Sequence, residues 1–226
     1  MIGGAMSEKN LESMVGFFDK RSDDYENHML NNVDGAECFY KEVAKLIPVR
    51  RHLQILDLGC GTGLEIDEIL KVNNNIRITG LDLSENMLAI LKDKYKEQPE
   101  ILNLIQSDYL KYEFEDCFYD VAISVMSLHH FSHQEKIKLY EKIHKSLRTF
   151  GFYIEADYMA PNQEYEDLHF AENERKRVNQ NIKDGYYHYD TPCTVENQIG
   201  MLLKAGFSHV EKIWNAGNTT ILKAIV

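Results

Sequence analysis

Over residues 11–47 the apolar positions recur at helical spacing in two pieces. Leu11, Met14, Val15, Phe17 and Phe18 form the first; Phe39, Val43, Leu46 and Ile47 form the second, which ends at Pro48. The polar stretch Asp23–His28 separates them. From Leu53 the pattern changes to short apolar runs alternating with amphipathic stretches, which predicts a parallel sheet covered by helices on both faces. Strands are expected at Leu53–Leu58, Ile76–Asp82, Ile101–Gln106, Phe118–Val125 and Phe152–Ala156. Helices are expected near 63–72 and 85–96, the latter capped by Ser84. A third starts at the capping box of Ser132 and Glu135, with Ile137, Tyr140, Ile143 and Leu147 on one face.

Beyond strand five the alternation fails. Residues 158–192 are polar and aromatic and too long for a plain connection, which predicts an inserted, partly helical lid. A helix over about 194–205 should end at Gly206. His209–Asn215 and Thr219–Val226, joined by a short Gly-Asn segment, predict an antiparallel hairpin at the sheet edge. The expectation is one α/β domain over residues 1–226. Residues 6–48 would form a helical cover over the mouth of the sheet.

The sharpest local signal is Ile55-Leu56-Asp57-Leu58-Gly59-Cys60-Gly61-Thr62-Gly63, where a buried run stops at three alternating glycines. Strand, tight turn and helix start in that order make a nucleotide-type ligand site. The dinucleotide fingerprint needs a glycine at position 64, which is Leu64, and no Gly-Lys-Ser/Thr follows. Neither a dinucleotide nor a P-loop phosphate is expected.

Charge and cysteine content narrow the partners. The net charge is −11, from 25 basic and 36 acidic residues, which weighs against a general grip on nucleic acid. The basic run Arg175-Lys176-Arg177 follows acidic residues and reads as a solvated helix face. Four scattered cysteines without a C-x-x-C pair fit a reduced, cytoplasmic protein. No membrane span is visible, and Met1–Ala5 resembles a cloning-tag remnant ahead of a start at Met6.

Asp82, at the end of strand two, is placed to hold the two hydroxyls of a ribose. Asp108 could accept from an adenine amino group, and Tyr109 could supply a flat wall. His129 and His130 follow strand four and are candidate general bases. His133 extends them to a His-His-x-x-His cluster, but no acidic ligand sits at a metal-binding spacing, so no metal is expected. Tyr158, Tyr186, Tyr187 and His188 in the lid are candidate substrate contacts; alternatively the aromatics pin the lid to the core.

Ile55–Gly63, Gly80–Met87, Ser107-Asp108, Tyr119–Val121 through Leu128-His129-His130-Phe131, and Ala205-Gly206-Phe207 occur in an order that resembles the class I S-adenosylmethionine-dependent methyltransferases, particularly the small-molecule type. The resemblance covers roughly residues 17–226. It implies a Rossmann-like, seven-stranded, mostly parallel sheet with an antiparallel C-terminal hairpin, and S-adenosyl-L-methionine as cofactor, leaving as S-adenosyl-L-homocysteine. It further implies Gly59, Gly61 and Gly63 facing the methionine part, Asp57 holding its ammonium, and Leu83 and Met87 around the adenine. Ser124 and Val125 would line the wall near the sulfonium, with Tyr25 over the cofactor. Such proteins commonly carry Pro-Gly-Gly before strand five, where this chain has Arg148-Thr149-Phe150-Gly151, a loop change that removes no ligand.

The expected activity is transfer of a methyl group to a small-molecule O or N acceptor by in-line displacement. Three other readings stay open: a tRNA or protein methyltransferase, an enzyme that makes a carboxylated cofactor analogue, and a non-catalytic cofactor-binding module. The carboxylating enzyme calls for an extra basic residue near the methyl, and the sequence identifies none.

Overall fold

The computed structural model describes residues 10–226; residues 1–9, including the tag-like Met1–Ala5, lie outside the described residues. Seven strands form one sheet: β1 Leu53–Leu58, β2 Ile76–Asp82, β3 Leu102–Gln106, β4 Tyr119–Val125, β5 Leu147–Tyr158, β6 His209–Ala216 and β7 Thr219–Ile225. Their order is β3-β2-β1-β4-β5-β7-β6. The first five pair in parallel, and β7 runs antiparallel to both β5 and β6. Strand order reverses between β1 and β4, which makes their carboxyl ends the crevice where open α/β sheets bind ligands. Residues such as Ile55, Leu56, Val121, Ala122 and Ile154 are wholly buried, as expected for strands covered on both faces.

Helices α1 Met14–Asp19, α2 Tyr25–Asn32 and α3 Ala36–Lys45 precede the sheet, and α4 Leu64–Val72, α5 Glu85–Lys94 and α6 His133–Ser146 cross between strands. Ser132 accepts from the Glu135 N–H while Glu135 accepts from the Ser132 N–H, so the expected capping box is formed. Gly206 closes α8 Val195–Lys204 with φ at 110°.

Three boundaries differ from expectation. The polar stretch Asp23–His28 is not a separator: a single 3-10 turn at Ser22–Asp24 leads directly into α2. Strand β5 begins at Leu147 rather than Phe152 and runs through Thr149-Phe150-Gly151, with Phe150 at φ 66° and its ring in solvent. Within the lid, α7 Gln163–Asn179 is one long helix, followed by an extended return to α8.

Cover and lid are joined to each other. The Met14 N–H donates to Tyr186 O, and the His188 N–H to Glu12 O, both at 2.9 Å. Ser84 Oγ donates to Asp19 Oδ1, which fastens α1 to the start of α5. Residues 11–19 are thereby sandwiched between the lid and the sheet's carboxyl edge.

Candidate active site

The glycine turn after β1 sits under the cover. Gly59, Gly61 and Gly63 all adopt positive φ, of 79°, 48° and 83°. Their surroundings differ. A Cβ on Gly61 would meet Met87 Sδ and the Tyr25 ring only at ordinary contact distance, 3.8 Å. One on Gly59 would strike Ser127 Oγ at 2.2 Å, and one on Gly63 would strike Leu91 Cδ1 at 2.6 Å. Gly63 is therefore a helix-packing glycine at the start of α4, and it does not face the cleft as expected.

The cleft itself is lined by Gly59, Gly61, Asp82, Leu83, Met87 and Tyr109 on the sheet side. Met14, Phe18 and Tyr25 close it from the cover, and Met126, Ser127, His130 and Phe131 from the loop after β4. Asp82 accepts from the Gly61 N–H at 2.9 Å and the Ser84 N–H at 2.8 Å, so it braces the turn and still offers each oxygen's second lone pair to the cleft. Burial raises its pKa, and the amides of Ser84 and Gly61 work against that rise.

Beneath the turn, Asp57 at the end of β1 is completely buried and faces Glu65. Among the described residues, no N–H donor reaches either Asp57 oxygen or Glu65 Oε1. Burial pushes Asp57 up to about 7 and Glu65 well above the carboxylate range, with Asp57 adding to the rise at Glu65. The two carboxyls hydrogen-bond each other, so the pair holds a proton that a cation bound nearby would release.

Several expected contacts lie elsewhere. Ser124 is buried in the sheet with its hydroxyl 2.5 Å from the Tyr153 hydroxyl, and Val125 belongs to the core on the other face. Their places on the cleft wall are taken by Met126, at φ 51°, and Ser127, in the loop just past the end of β4. Asp57 lies beneath the glycine turn, where the resemblance puts it. Asp108 caps its own turn through the Leu110 N–H and pairs with Lys111 at 3.0 Å, while Tyr109 does line the cleft with its hydroxyl 2.8 Å from Ser127 Oγ.

Next to the cleft is a larger cavity of about 710 Å³, between cover and lid. Phe17, Arg21, His28 and Met29 line it from the cover, and His129, Tyr158, His188 and Asp190 from strand ends and lid. Phe18, Tyr25, Met126 and His130 border both spaces. The cleft is narrow, about 50 Å³, with Phe18 and Tyr25 across it, so a nucleoside-sized ligand enters only with the cover displaced. Of the expected lid contacts, Tyr158 and His188 reach the cavity. Tyr186 packs on Phe131 and Tyr187 lies under Arg177, so both pin the lid instead.

The two histidines after β4 are held differently. His129 Nδ1 lies 2.5 Å from Asp157 Oδ1, while Asp157 Oδ2 accepts from the Leu128 and His129 N–H groups at 2.8 and 3.1 Å. Burial works against protonating His129, but the Asp157 carboxylate overrides it and the pKa rises. Burial, and then the proximity of His129, depress His130 to about 3. Asp190 Oδ1 approaches His130 Nδ1 at 3.4 Å, His129 Nε2 at 3.7 Å and His188 Nε2 at 3.9 Å. His133, the first residue of α6, is not part of this group; it pairs with Glu166 of α7 at 2.8 Å. Asp157 and Asp190 were invisible in the sequence, since each is a lone carboxylate far along the chain from the histidines it meets.

Comparison with known proteins fits this geometry. Residues 55–151 match the model of a methyltransferase domain. The carboxy-S-adenosyl-L-methionine synthase of Nautilia profundicola is 25% identical over 206 residues, covering 78% of this chain and 82% of that protein. The synthase of Campylobacter jejuni subsp. doylei is 24% identical over 222 residues, covering 89% and 90%. Among solved structures, a Nostoc punctiforme PCC 73102 protein designated an O-methyltransferase superposes with a TM-score of 0.71 at 19% identity, over 97% of this chain and 63% of that one. Haemonchus contortus phosphoethanolamine N-methyltransferase 2, in complex with S-adenosyl-L-methionine, superposes at 0.66 and 22% identity, over 86% and 43%. This chain spans less than two thirds of either solved protein.

The protein thus has the Rossmann-like fold of the solved methyltransferases, and residues 55–151 match a methyltransferase domain. S-adenosyl-L-methionine is the cofactor of that domain. The residues present suit it: Asp82 offers paired acceptors, Gly61 leaves room where a Cβ would intrude, and the buried Asp57–Glu65 pair sits where a cationic ligand would relieve it. Among the described residues, no helix is long and apolar enough to cross a membrane.

Proposed function

We propose that the protein transfers a methyl group from S-adenosyl-L-methionine to an oxygen or nitrogen of a small acceptor held between cover and lid. The observation that carries this reading is the wall of Phe18, Tyr25, Met126 and His130 common to the cofactor cleft and the 710 Å³ cavity. That volume lies within the usual range for small-molecule sites, roughly 300–1,000 Å³. When bound, the cofactor supplies a methyl group already activated on a sulfonium. The chain then has to bind, align and exclude water, and alignment alone is worth up to about 7–11 kcal/mol in well-oriented systems.

Asp82 would hold the ribose hydroxyls, with Leu83 and Met87 against the adenine and Tyr109 as its wall. Gly59 and Gly61 would lie along the methionine part, and Asp57 with Glu65 would balance its ammonium from below. Phe18 and Tyr25 would close over the reacting groups. A hydroxyl acceptor also has to lose a proton, and the candidate bases are His129 at Nε2 and His130. Tyr158 and His188 would contact the acceptor. The net charge of −11 favours a small molecule over tRNA.

A second reading follows from the curated relatives, whose name describes carboxylation of the cofactor itself. The basic groups on the cavity rim, Lys20 and Arg21, are both paired with Glu12 at 3.0 Å, which argues against a free cation for a carboxylate there. The test is an assay of S-adenosylhomocysteine release and product mass with small phenols, amines and carboxylic acids. Acceptor-dependent release that disappears in Asp82→Ala supports methyl transfer. A carboxylated cofactor as the only new mass supports the second reading.

A further inference from the structure

The lid closes over the His129 loop in a way the proposed methyl transfer does not require. The Thr191 N–H donates to His129 O at 2.7 Å, and this fastens the neighbouring Asp190 beside the two histidines. Asp190 Oδ1 is shut off from solvent and accepts no hydrogen bond, yet three imidazole nitrogens surround it at 3.4, 3.7 and 3.9 Å. Those separations are too long for good hydrogen bonds. They are near the edge length of a metal polyhedron: bonds of about 2.0–2.2 Å in a tetrahedral site leave ligand atoms roughly 3.3–3.5 Å apart.

The geometry points to a site for one divalent first-row transition ion, held by His129 Nε2, His130 Nδ1 and Asp190, with His188 as a further imidazole within reach. His129 is oriented for this role. Its Nδ1 faces the Asp157 carboxylate at 2.5 Å, so the proton sits there and the Nε2 lone pair is turned toward Asp190. Asp157 is itself fixed by the N–H groups of Leu128, His129 and Tyr158. A carboxylate behind a ligating histidine is the arrangement that sets tautomer and ring angle in metal sites. His130 Nδ1 lies 3.3 Å from Tyr189 O, and loading an ion moves its proton to Nε2 and gives up that contact.

Two imidazoles and one carboxylate select Zn²⁺, Fe²⁺, Mn²⁺ or Co²⁺ rather than Mg²⁺ or Ca²⁺. Three protein ligands leave coordination positions open, and Asp190, His129 and His130 all line the 710 Å³ cavity. Those positions would take oxygen donors of the acceptor, with the ion lowering their pKa in place of either histidine acting as base, which narrows the acceptor to a molecule with adjacent oxygens; that part rests on the proposed function. A second group, His133, Glu166 and Cys193, also brings three candidate ligands together. There Glu166 accepts from the Thr194 N–H and Asn197, and Cys193 accepts from Lys136, so its acceptors are already engaged.

The test is a titration of Co²⁺ into the full chain after chelator treatment, with no S-adenosylmethionine present. One equivalent should bind with visible ligand-field bands and no thiolate charge-transfer band. Binding should be lost in His130→Ala and Asp190→Asn, retained in His133→Ala, and weakened roughly 10–100-fold in Asp157→Asn. Thermal melting of each variant without metal identifies any that do not fold, and Asp190→Asn, nearly isosteric, decides if the others fail. No binding, equal binding by wild type and Asp190→Asn, or a thiolate band lost in Cys193→Ser would each overturn the assignment. Acetohydroxamate, a bidentate oxygen donor, should shift the bands; unchanged bands would overturn the acceptor part alone. Because the titration omits the cofactor, its failure leaves methyl transfer standing, and failure of cofactor binding leaves the metal site standing.

Discussion

Nδ1 of His129 and Oδ1 of Asp157 meet at 2.5 Å where the ends of β4 and β5 run side by side, both side chains nearly closed to solvent. One pair thereby ties the loop after β4 to the neighbouring strand and fixes which His129 nitrogen looks into the cavity. His129→Ala should lower the unfolding free energy by about 3 kcal/mol. That is the low end for orphaning one member of a buried ion pair, because three backbone N–H groups remain on Asp157. Denaturant unfolding measures it, and a loss under about 1 kcal/mol would mean the pair is not a structural tie.

The three glycines of the turn should separate by function. Gly61→Ala places its methyl in the cleft and should weaken S-adenosylhomocysteine binding by roughly tenfold or more, while positive φ costs about 1–2 kcal/mol of stability. Gly63→Ala meets Leu91 instead, so its cost should be larger, with about 1–3 kcal/mol of overpacking added. Its effect on affinity among molecules that remain folded should be small. Calorimetry and thermal melting on both variants check the contrast.

Glu155 supplies a pH dependence. Burial pushes its carboxyl up to about 7, against Lys136, Tyr140 and Gln198, which favour the ionised form. The folded pKa lies above the unfolded value of 4.5, so its stabilising contribution is complete at low pH and is lost as pH rises through about 7. The span corresponds to about 3 kcal/mol. Asp57, also raised to about 7, acts in the same direction. The contribution of these two carboxyls should therefore fall between about pH 5 and pH 8, opposed below about pH 6.5 by the depressed His130 and His188, and Glu155→Gln should remove its part of that fall. Parallel slopes in wild type and variant would exclude Glu155 as the source.

The lid aromatics should divide as their packing does. Tyr187→Ala removes a contact with Arg177 on the lid surface and should change stability more than acceptor KM. His188→Ala removes a ring stacked on Phe17 at 3.4 Å inside the cavity and should raise acceptor KM while leaving cofactor affinity near wild type. Steady-state kinetics with the acceptor found in the screen tests the pair.

Most of the sheet was legible because buried parallel strands are apolar runs with sharp ends: β1 and β2 fall where the pattern puts them. The capping box at Ser132 and the glycine after α8 are local and were read the same way. What was not legible depends on which side chains around a strand end turn toward the ligand. β4 ends at Val125 as the pattern puts it, yet Ser124 meets Tyr153 inside the sheet and Val125 the core, and the cleft wall falls to Met126 and Ser127 in the loop beyond. Gly63 looks like its two neighbours in sequence, and only Leu91, packed across from α5, distinguishes it. The histidine cluster was misgrouped for a related reason. Spacing joins His133 to His129 and His130, whereas His133 at the start of α6 turns to Glu166 and the lid returns Asp190 from sixty residues downstream.

A crystal structure with S-adenosylhomocysteine bound tests the cofactor site and its neighbouring cavity together. The ribose hydroxyls should lie on Asp82, the adenine between Leu83 and Met87, and the sulfur toward the wall of Met126 and His130, with Phe18 and Tyr25 displaced from the cleft. A ligand bound elsewhere, or one whose sulfur faces away from the cavity between cover and lid, would contradict methyl transfer to an acceptor held there.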